Sequence, residues 1–378
     1  MAFGVLTNIV SVVFLCQIFS KKTFVEQEDM MAKNVYERLA QHLDKLPGGF
    51  PPSDSGVELR LLKRLFTPKE AKLAVHLTLD REEARVIADR ARVDLGEAEQ
   101  RLREMARKGL IFSIESEGAP ALYQAVPWIV GIYEFQVNNL DKGFIQDVNE
   151  YIRTRSKISR PQPIPQIRTI PIGRSIEAHL EALPYERAEE LVKAHEKFAV
   201  APCICRRKAE IMGAGCNAPK ETCLIFGNWA DYYVRNGMAR YIDQAEVADI
   251  LTIADKANLV LQPNNSKEIV FMCCCCGCCC AVLTRIKPHP KPSELVASPF
   301  RARHESESCE GCGTCVDRCQ MNALILEGDR VVLNSPRCIG CGLCVSTCPT
   351  GSLTLVRKPV IEQIKMPINM DATWRELR

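Results

Sequence analysis

The first third of the chain repeats apolar residues every three or four positions, which is the period of amphipathic helices. From residue 34 to residue 109 this pattern predicts a series of short helices separated by polar or proline-containing breaks. The predicted helix boundaries rest on capping residues: Thr67 with Pro68, then Asp80, then Asp94, and finally the stop at Gly109.

A predicted hairpin follows these helices, with strands at 111–116 and 121–126 around a Glu-Gly-Ala-Pro turn. Short helices that end in a hairpin resemble the winged helix-turn-helix family, and the resemblance covers about residues 56–126. It implies a module that binds DNA or another protein. The helix that would enter a DNA groove, 95–108, has an acidic N-terminal end and nearly balanced charges, which argues against nucleic acid and favours a protein-docking or structural role.

Downstream of the hairpin, residues 127–152 predict a further helix, and 184–199 predict another. A proline-rich stretch between them has no helical period and predicts a semi-rigid extended linker. The predicted fold class is α+β multidomain, with a winged-helix-like N-terminal domain, a cysteine-rich middle and a ferredoxin-like dicluster C-terminal domain. The predicted units are 1–30 (apolar leader), 31–156 (winged-helix-like), 157–175 (linker), 176–300 (cysteine-rich), 301–358 (dicluster) and 359–378 (tail).

The leader allows two interpretations. Residues 2–19 are mostly apolar and precede Lys21 and Lys22, so they could anchor the chain in a membrane with the remainder in the cytoplasm. Alternatively the leader is dispensable or an artefact of an upstream start, because an amphipathic helix begins after Met30 and Met31. The predicted location is cytoplasmic, with membrane association if the leader is an anchor.

Composition identifies cysteine as the unusual residue. The 378 residues are 47% hydrophobic and 25% charged, which is typical of a globular protein, and the formal net charge of +3 predicts neither a nucleic-acid binder nor an acidic scaffold. Of twenty cysteines, only Cys16 lies outside the stretch from Cys203 to Cys348. Spacings of two and three residues are typical of metal ligands rather than disulfides, so the sequence predicts a reducing compartment.

The strongest motif is duplicated. Residues 309–319 and 338–348 both have the form C-x-x-C-x-x-C-x-x-x-C, offset by 29 residues, and they resemble the bacterial dicluster ferredoxin. The resemblance implies two 4Fe-4S clusters, each held by three cysteines of one copy and the last cysteine of the other. One set is Cys309, Cys312, Cys315 and Cys348, and the second is Cys338, Cys341, Cys344 and Cys319. Gln320 departs from the family pattern, in which proline commonly follows the fourth cysteine.

The spacing of the remaining cysteines allows a less specific prediction than the duplicated motif does. Cys203, Cys205, Cys216 and Cys223 could close a four-thiolate site, together with part of a dense block made of Cys273, Cys274, Cys275, Cys276, Cys278, Cys279 and Cys280. A strand through this block would send alternate thiols to opposite faces, and Gly277 would break it. A third iron–sulfur cluster is the favoured hypothesis, and zinc or a patch of free thiols are the alternatives.

These patterns favour an electron-transfer protein that relays single electrons to or from redox partner proteins of a larger oxidoreductase. No nucleotide-binding loop or nucleophile motif is present, so an electron-transfer subunit is favoured over an independent catalyst. Two alternatives stay open: a regulator in which a cluster controls DNA binding by the winged helix, and a reductase with a catalytic cluster in the cysteine-rich middle.

Overall fold

The computed structural model describes residues 35–158, 163–176 and 182–377. The apolar leader therefore lies outside the described residues. Within the described ranges, none of the helices combines the length and the apolar character needed to cross a bilayer.

The N-terminal unit contains short helices and a small sheet, as the periodicity predicts. Its elements are α1 (35–44), α2 (Val57–Leu65), α3 (Pro68–Ala74), β1 (Glu82–Glu83), α4 (Ala84–Ala91), α5 (Leu95–Arg107), β2 (Phe112–Ile114), β3 (Leu122–Gln124) and α6 (Lys142–Ile158). The three strands form an antiparallel sheet in the order β1-β3-β2. Two predicted caps are confirmed: Thr67 forms a capping box with Glu70, and the Asp94 side chain accepts from the Glu97 amide.

Two predicted helices are wrong in detail. Asp80 does not begin a helix, because Glu82 and Glu83 first pair with β3 and α4 starts after them. The helix predicted over 127–152 is interrupted, since Val130 has a left-handed backbone (φ +60°) and only α6 continues as a regular helix. A β-branched residue in this conformation cannot extend a right-handed helix.

The cysteine-rich middle is an antiparallel five-stranded sheet in the order β6-β4-β5-β8-β7. Its strands are β4 (Phe198–Pro202), β5 (Glu221–Phe226), β6 (Arg240–Ile242), β7 (Val260–Pro263) and β8 (Phe271–Cys275). Its helices are α7 (Ala188–Lys193), α8 (Ile204–Ile211), α9 (Gly227–Arg235), α10 (Gln244–Lys256) and α11 (Ala281–Ile286). The helix predicted over 184–199 is thus shorter, because its last residues belong to β4.

The predicted linker is not a solvated spacer. In its described part, Arg168 and Ile170 are fully buried. The amide of Arg168 donates to Pro263 O at 3.0 Å, and that of Ile172 donates to Cys341 O, also at 3.0 Å. Its main-chain groups thus find partners in both the middle sheet and the C-terminal unit, which allows an extended proline-rich segment to be buried.

The N-terminal and middle units share one apolar core. The Tyr232 hydroxyl of α9 donates to Ala106 O and Ile111 O, and the ring of Phe112 stacks on Trp229 at 4.9 Å between centroids. The predicted boundary between these units is therefore a packed interface.

The C-terminal unit contains two antiparallel strand pairs around the duplicated motif, β9 with β12 and β10 with β11. Its elements are β9 (Phe300–His304), α12 (Thr314–Arg318), β10 (Leu324–Glu327), β11 (Arg330–Leu333), β12 (Leu353–Arg357) and α13 (Met370–Glu376). The predicted tail thus ends in a helix, whose Trp374 is buried beside Trp229 at 6.2 Å between ring centroids.

Candidate metal centres

The duplicated motif forms two separate cavities, each lined by four cysteines. The outer cavity, about 20 Å³, is lined by Cys309, Cys312, Cys315 and Cys348. The inner cavity, also about 20 Å³, is lined by Cys319, Cys338, Cys341 and Cys344. Each cavity thus takes three cysteines from one copy and the fourth from the other, which is the grouping that the ferredoxin resemblance implies.

Glycines at fixed positions let the motif loops approach neighbouring backbone. A Cβ on Gly311 would lie 2.0 Å from Asp329 O, and one on Gly340 would lie 2.2 Å from Phe300 O. Both residues also have positive φ, +66° and +71°, which only glycine adopts without strain. The same position in each copy therefore requires glycine, so that one cysteine loop can fold against the β10–β11 turn and the other against β9.

Hydrogen-bond donors point at several of these sulfurs. The Ala302 amide lies 3.2 Å from Cys338 Sγ, and the Ala323 amide lies 3.1 Å from Cys319 Sγ. At Cys348, burial opposes ionisation, but the hydroxyls of Ser352 and Thr350 and nearby amides lower the pKa of the thiol to about 7. Such donors stabilise sulfur in its anionic, metal-binding form.

At the inner cavity the effect of burial on the pKa outweighs that of the hydrogen-bond donors. Burial raises the pKa of Cys341 to about 12, and the pKa of Cys344 well above its usual value. A metal cation must therefore displace those protons, because a buried thiolate without a partner is costly.

The two cavities differ in depth. Cys312 of the outer cavity is exposed, whereas Cys338 of the inner cavity is buried. Cys319 and Cys344 of the inner set pack against the apolar cluster that contains Cys315 of the outer set. The cavities are thus neighbours, with the outer one nearer to solvent.

A third group of cysteines, which we call the quartet, consists of Cys216, Cys276, Cys278 and Cys279, with all four sulfurs within 4.8 Å of one another. Cys216 and Cys276 lie 3.9 Å apart, and Cys278 and Cys279 lie 3.7 Å apart. Zinc–sulfur bonds of about 2.3 Å in a tetrahedron give sulfur separations of about 3.8 Å. Among the described residues no other group of this type is as compact, including the two cysteine cavities of the duplicated motif.

Arg206 and Gln320, the second of which lines the inner cavity, contact the quartet and its turn. Burial opposes ionisation of Cys276, but hydrogen bonds from the Cys279 amide, Cys278 and Arg206 lower its pKa to about 7. The Gly277 amide donates to Gln320 Oε1 at 2.7 Å, and Gln320 lines the inner cavity. Gln320, the residue that departs from the ferredoxin pattern, thus fixes the turn around Gly277 that carries three cysteines of the quartet.

Six further thiols line one cavity and lie near enough to influence one another's pKa in sequence, and we call this group the arc. The series runs Cys203, Cys205, Cys280, Cys275, Cys273 and Cys223. Neighbouring thiols hold the pKa of Cys273 and of Cys280 well below the usual value. The arc arises because β5 and β8 pair with Cys223 opposite Cys273, and α8 and α11 bring in the remaining thiols.

The structure thus divides the middle cysteines differently from the sequence hypothesis. Cys216 does not join Cys203, Cys205 and Cys223; it lies in the quartet. Cys274 belongs to neither group, although it packs with Met272 in an apolar core and contributes to the lining of the cavity beside the arc. Alternation along β8 separates Cys274 from Cys273, as expected for a strand. The partners of Cys216 are some 60 residues away in sequence, and no local spacing indicates them.

Fold and site together define an iron–sulfur protein. Residues 301–349 of the C-terminal unit match the family model of the 4Fe-4S dicluster domain. This match indicates bound iron–sulfur clusters and a role in electron transfer. Searches of curated proteins and of solved structures gave no match. Because no match extends to the N-terminal unit, the winged-helix resemblance stays a prediction.

Proposed function

We propose that this chain relays single electrons between a partner oxidoreductase and its own interior through two 4Fe-4S clusters. Cys309, Cys312, Cys315 and Cys348 would hold the outer cluster, and Cys319, Cys338, Cys341 and Cys344 the inner one. When bound, each cluster supplies one-electron redox chemistry. The observation on which this proposal rests is the crossed grouping of eight cysteines around two adjacent cavities.

The side chains around the cavities support a direction for the relay. Cys312 is exposed, so the outer site can meet a partner protein at the surface. The inner site is enclosed by Met321, Ile339 and Leu343, which pack against Cys275 and Cys280 of the arc. Electrons exchanged at the surface would thus be delivered toward the cysteine-rich middle.

The relay is tested by anaerobic purification and iron analysis. Two four-iron clusters require at least about eight irons per chain. The variants Cys312→Ser and Cys341→Ser should each lower the iron content by about four and remove one reduced-cluster EPR signal. Cys274→Ala, which removes a buried thiol outside every group, is the matched control. About four irons or fewer in the wild type, or full iron in both serine variants, would refute the relay.

We further infer that the quartet holds one tetrahedral metal ion, for which zinc fits best. The supporting observation is the compact spacing of its sulfurs, 3.7 and 3.9 Å for two of the pairs. Metal analysis should find about one zinc per chain, lost in Cys216→Ser while the dicluster iron remains. Retention of zinc in Cys216→Ser would exclude this assignment.

For the N-terminal unit we propose a winged-helix-like scaffold that docks proteins rather than DNA. Two of the three arginines of α5 are paired within the helix, Arg101 with Glu97 and Arg103 with Glu99. Its C-terminal end is occupied by the Tyr232 hydroxyl of α9. Both observations leave little free positive charge for phosphates. A gel shift with mixed-sequence DNA should show no binding at physiological salt, and salt-sensitive binding would contradict this role.

A further inference from the structure

A large cavity adjoins the arc. It measures about 320 Å³, compared with about 20 Å³ for each cavity of the duplicated motif. Ligand sites commonly begin at about 300 Å³. A metal cluster as small as those of the C-terminal unit would therefore leave most of this cavity free.

The six thiols of the arc are too many and too spread out for one ion. A tetrahedral metal takes four sulfurs that all lie close together. Among the described residues only the quartet meets that condition, whereas the thiols of the arc are distributed along the lining of the cavity. Such an arrangement fits two or more metal atoms, each bound by neighbouring thiolates.

All six thiols of the arc line the cavity. The part of the lining without thiols, which we call the thiol-free wall, is mostly apolar (Ile129, Val130, Val137, Ile152 and Ile167) and also includes Tyr133, Glu134 and Arg155. A cluster bound by the arc would be held by thiolates and would leave open space beside it, because the cavity is much larger than the cluster. In metal enzymes an open coordination position is the place where a ligand binds.

The thiol-free wall has two features typical of a ligand site. The Tyr133 hydroxyl, which lines the cavity, is buried and has no hydrogen-bond partner among the described residues. Val130 is held in the left-handed region, and the Gly131 amide next to it donates to Glu134 Oε2 at 2.9 Å. Strained backbone of this kind concentrates at functional sites, where the surrounding structure maintains it.

We propose that the arc holds an additional iron–sulfur cluster of two or more irons, whose cavity-facing side binds a small, neutral, mostly apolar ligand. This inference rests on the relay proposed above, because Cys275 and Cys280 share an apolar cluster with Cys319 and Cys341 of the inner site. The cavity would then be the end of the relay at which a ligand meets reduced iron.

Metal content tests the cluster. Anaerobically purified wild-type protein should contain iron beyond the roughly eight atoms of the two C-terminal clusters. The double variant Cys205→Ser/Cys273→Ser should lose that excess and keep both reduced-cluster EPR signals, which shows that the C-terminal unit is still folded. Cys274→Ala, one residue from Cys273 in β8, should keep all of the iron.

The cluster proposal would be overturned by the absence of iron beyond about eight atoms in the wild type, or by an undiminished excess in the arc double variant. Zinc beyond the single ion removed by Cys216→Ser, in place of excess iron, would overturn it as well. Failure of the relay proposal can be distinguished from failure of the cluster proposal. If the relay is wrong, the iron content of the Cys312→Ser variant and of the Cys341→Ser variant will equal that of the wild type.

Carbon monoxide tests the open side of the cluster, since it is a small neutral ligand of reduced iron. Reduced wild-type protein should show an infrared band of bound carbon monoxide. Val137→Trp, which fills the cavity from its thiol-free wall, should keep the iron and lose most of the band. No band in the wild type, or an equal band in Val137→Trp, would refute a ligand site there.

Discussion

Two glycines of one cysteine loop provide a matched test of how the outer site folds. Gly311 and Gly313 both have positive φ, +66° and +74°. A Cβ on Gly311 would lie 2.0 Å from Asp329 O, whereas a Cβ on Gly313 would meet nothing within 4 Å. Alanine at either position therefore has the same backbone strain, but only Gly311→Ala also collides with another segment.

The two effects can be separated in magnitude. A left-handed backbone at a residue other than glycine costs about 1–2 kcal/mol. Overpacking against main chain that cannot rotate away adds about 1–3 kcal/mol. We expect Gly311→Ala to destabilise the protein by about 2–5 kcal/mol and Gly313→Ala by about 1–2 kcal/mol.

The assay is anaerobic denaturant unfolding, followed by the visible absorption of the iron–sulfur centres and by circular dichroism. The reasoning predicts a lower midpoint for Gly311→Ala than for Gly313→Ala, with iron lost first from the outer site. Equal midpoints for the two variants would show that the contact with Asp329 O does not constrain the loop.

Three further predictions concern individual side chains. Gln320→Ala removes the acceptor of the Gly277 amide and the donor to Asn258 O, so it should lower the free energy of unfolding by about 1–3 kcal/mol. The variant should also release the quartet metal to a chelator more readily, and the iron of the dicluster unit is the internal control. In metal-free protein, the rate of alkylation of Cys348 by iodoacetamide should rise around pH 7. Cys315 should react only at higher pH, because burial raises its pKa to about 11. An unchanged pH profile for Cys348 in Ser352→Ala would contradict the role of the Ser352 hydroxyl. Burial raises the pKa of Glu134 from 4.5 to about 7, so the folded state binds the extra proton and stability should fall by about 3 kcal/mol as the pH rises between these values. Glu134→Gln should abolish that slope in urea unfolding, and a slope that persists would assign it to another group.

The spacing of cysteines predicted more about the C-terminal unit than about any other part. The motif is local and duplicated, so each copy brings three thiols together within one loop, and the strands between the copies are short and regular. The structure groups the eight cysteines in the crossed sets that the resemblance implies. Helix caps such as Thr67 and Asp94 could also be predicted from the sequence, because a cap depends on a side chain and a backbone amide only three residues apart.

The middle cysteines could not be assigned in this way. Cys216 meets Cys276 across some 60 residues, and the arc depends on the register that sets Cys223 opposite Cys273. The described part of the proline-rich segment also looked like a spacer, yet Arg168 and Ile170 are buried between units whose carbonyls accept its amides.

The sequence by itself determined the local features of this protein: two ferredoxin-like cysteine loops with their glycines, capped helices at the N-terminus, and a strand interrupted at Gly277. Only the tertiary structure decided how eleven middle cysteines divide into a quartet, an arc and one core residue. The physical reason is that a ligand set within one loop depends on local backbone geometry, whereas a set drawn from several strands and helices depends on sheet register and packing, which residue spacing does not encode.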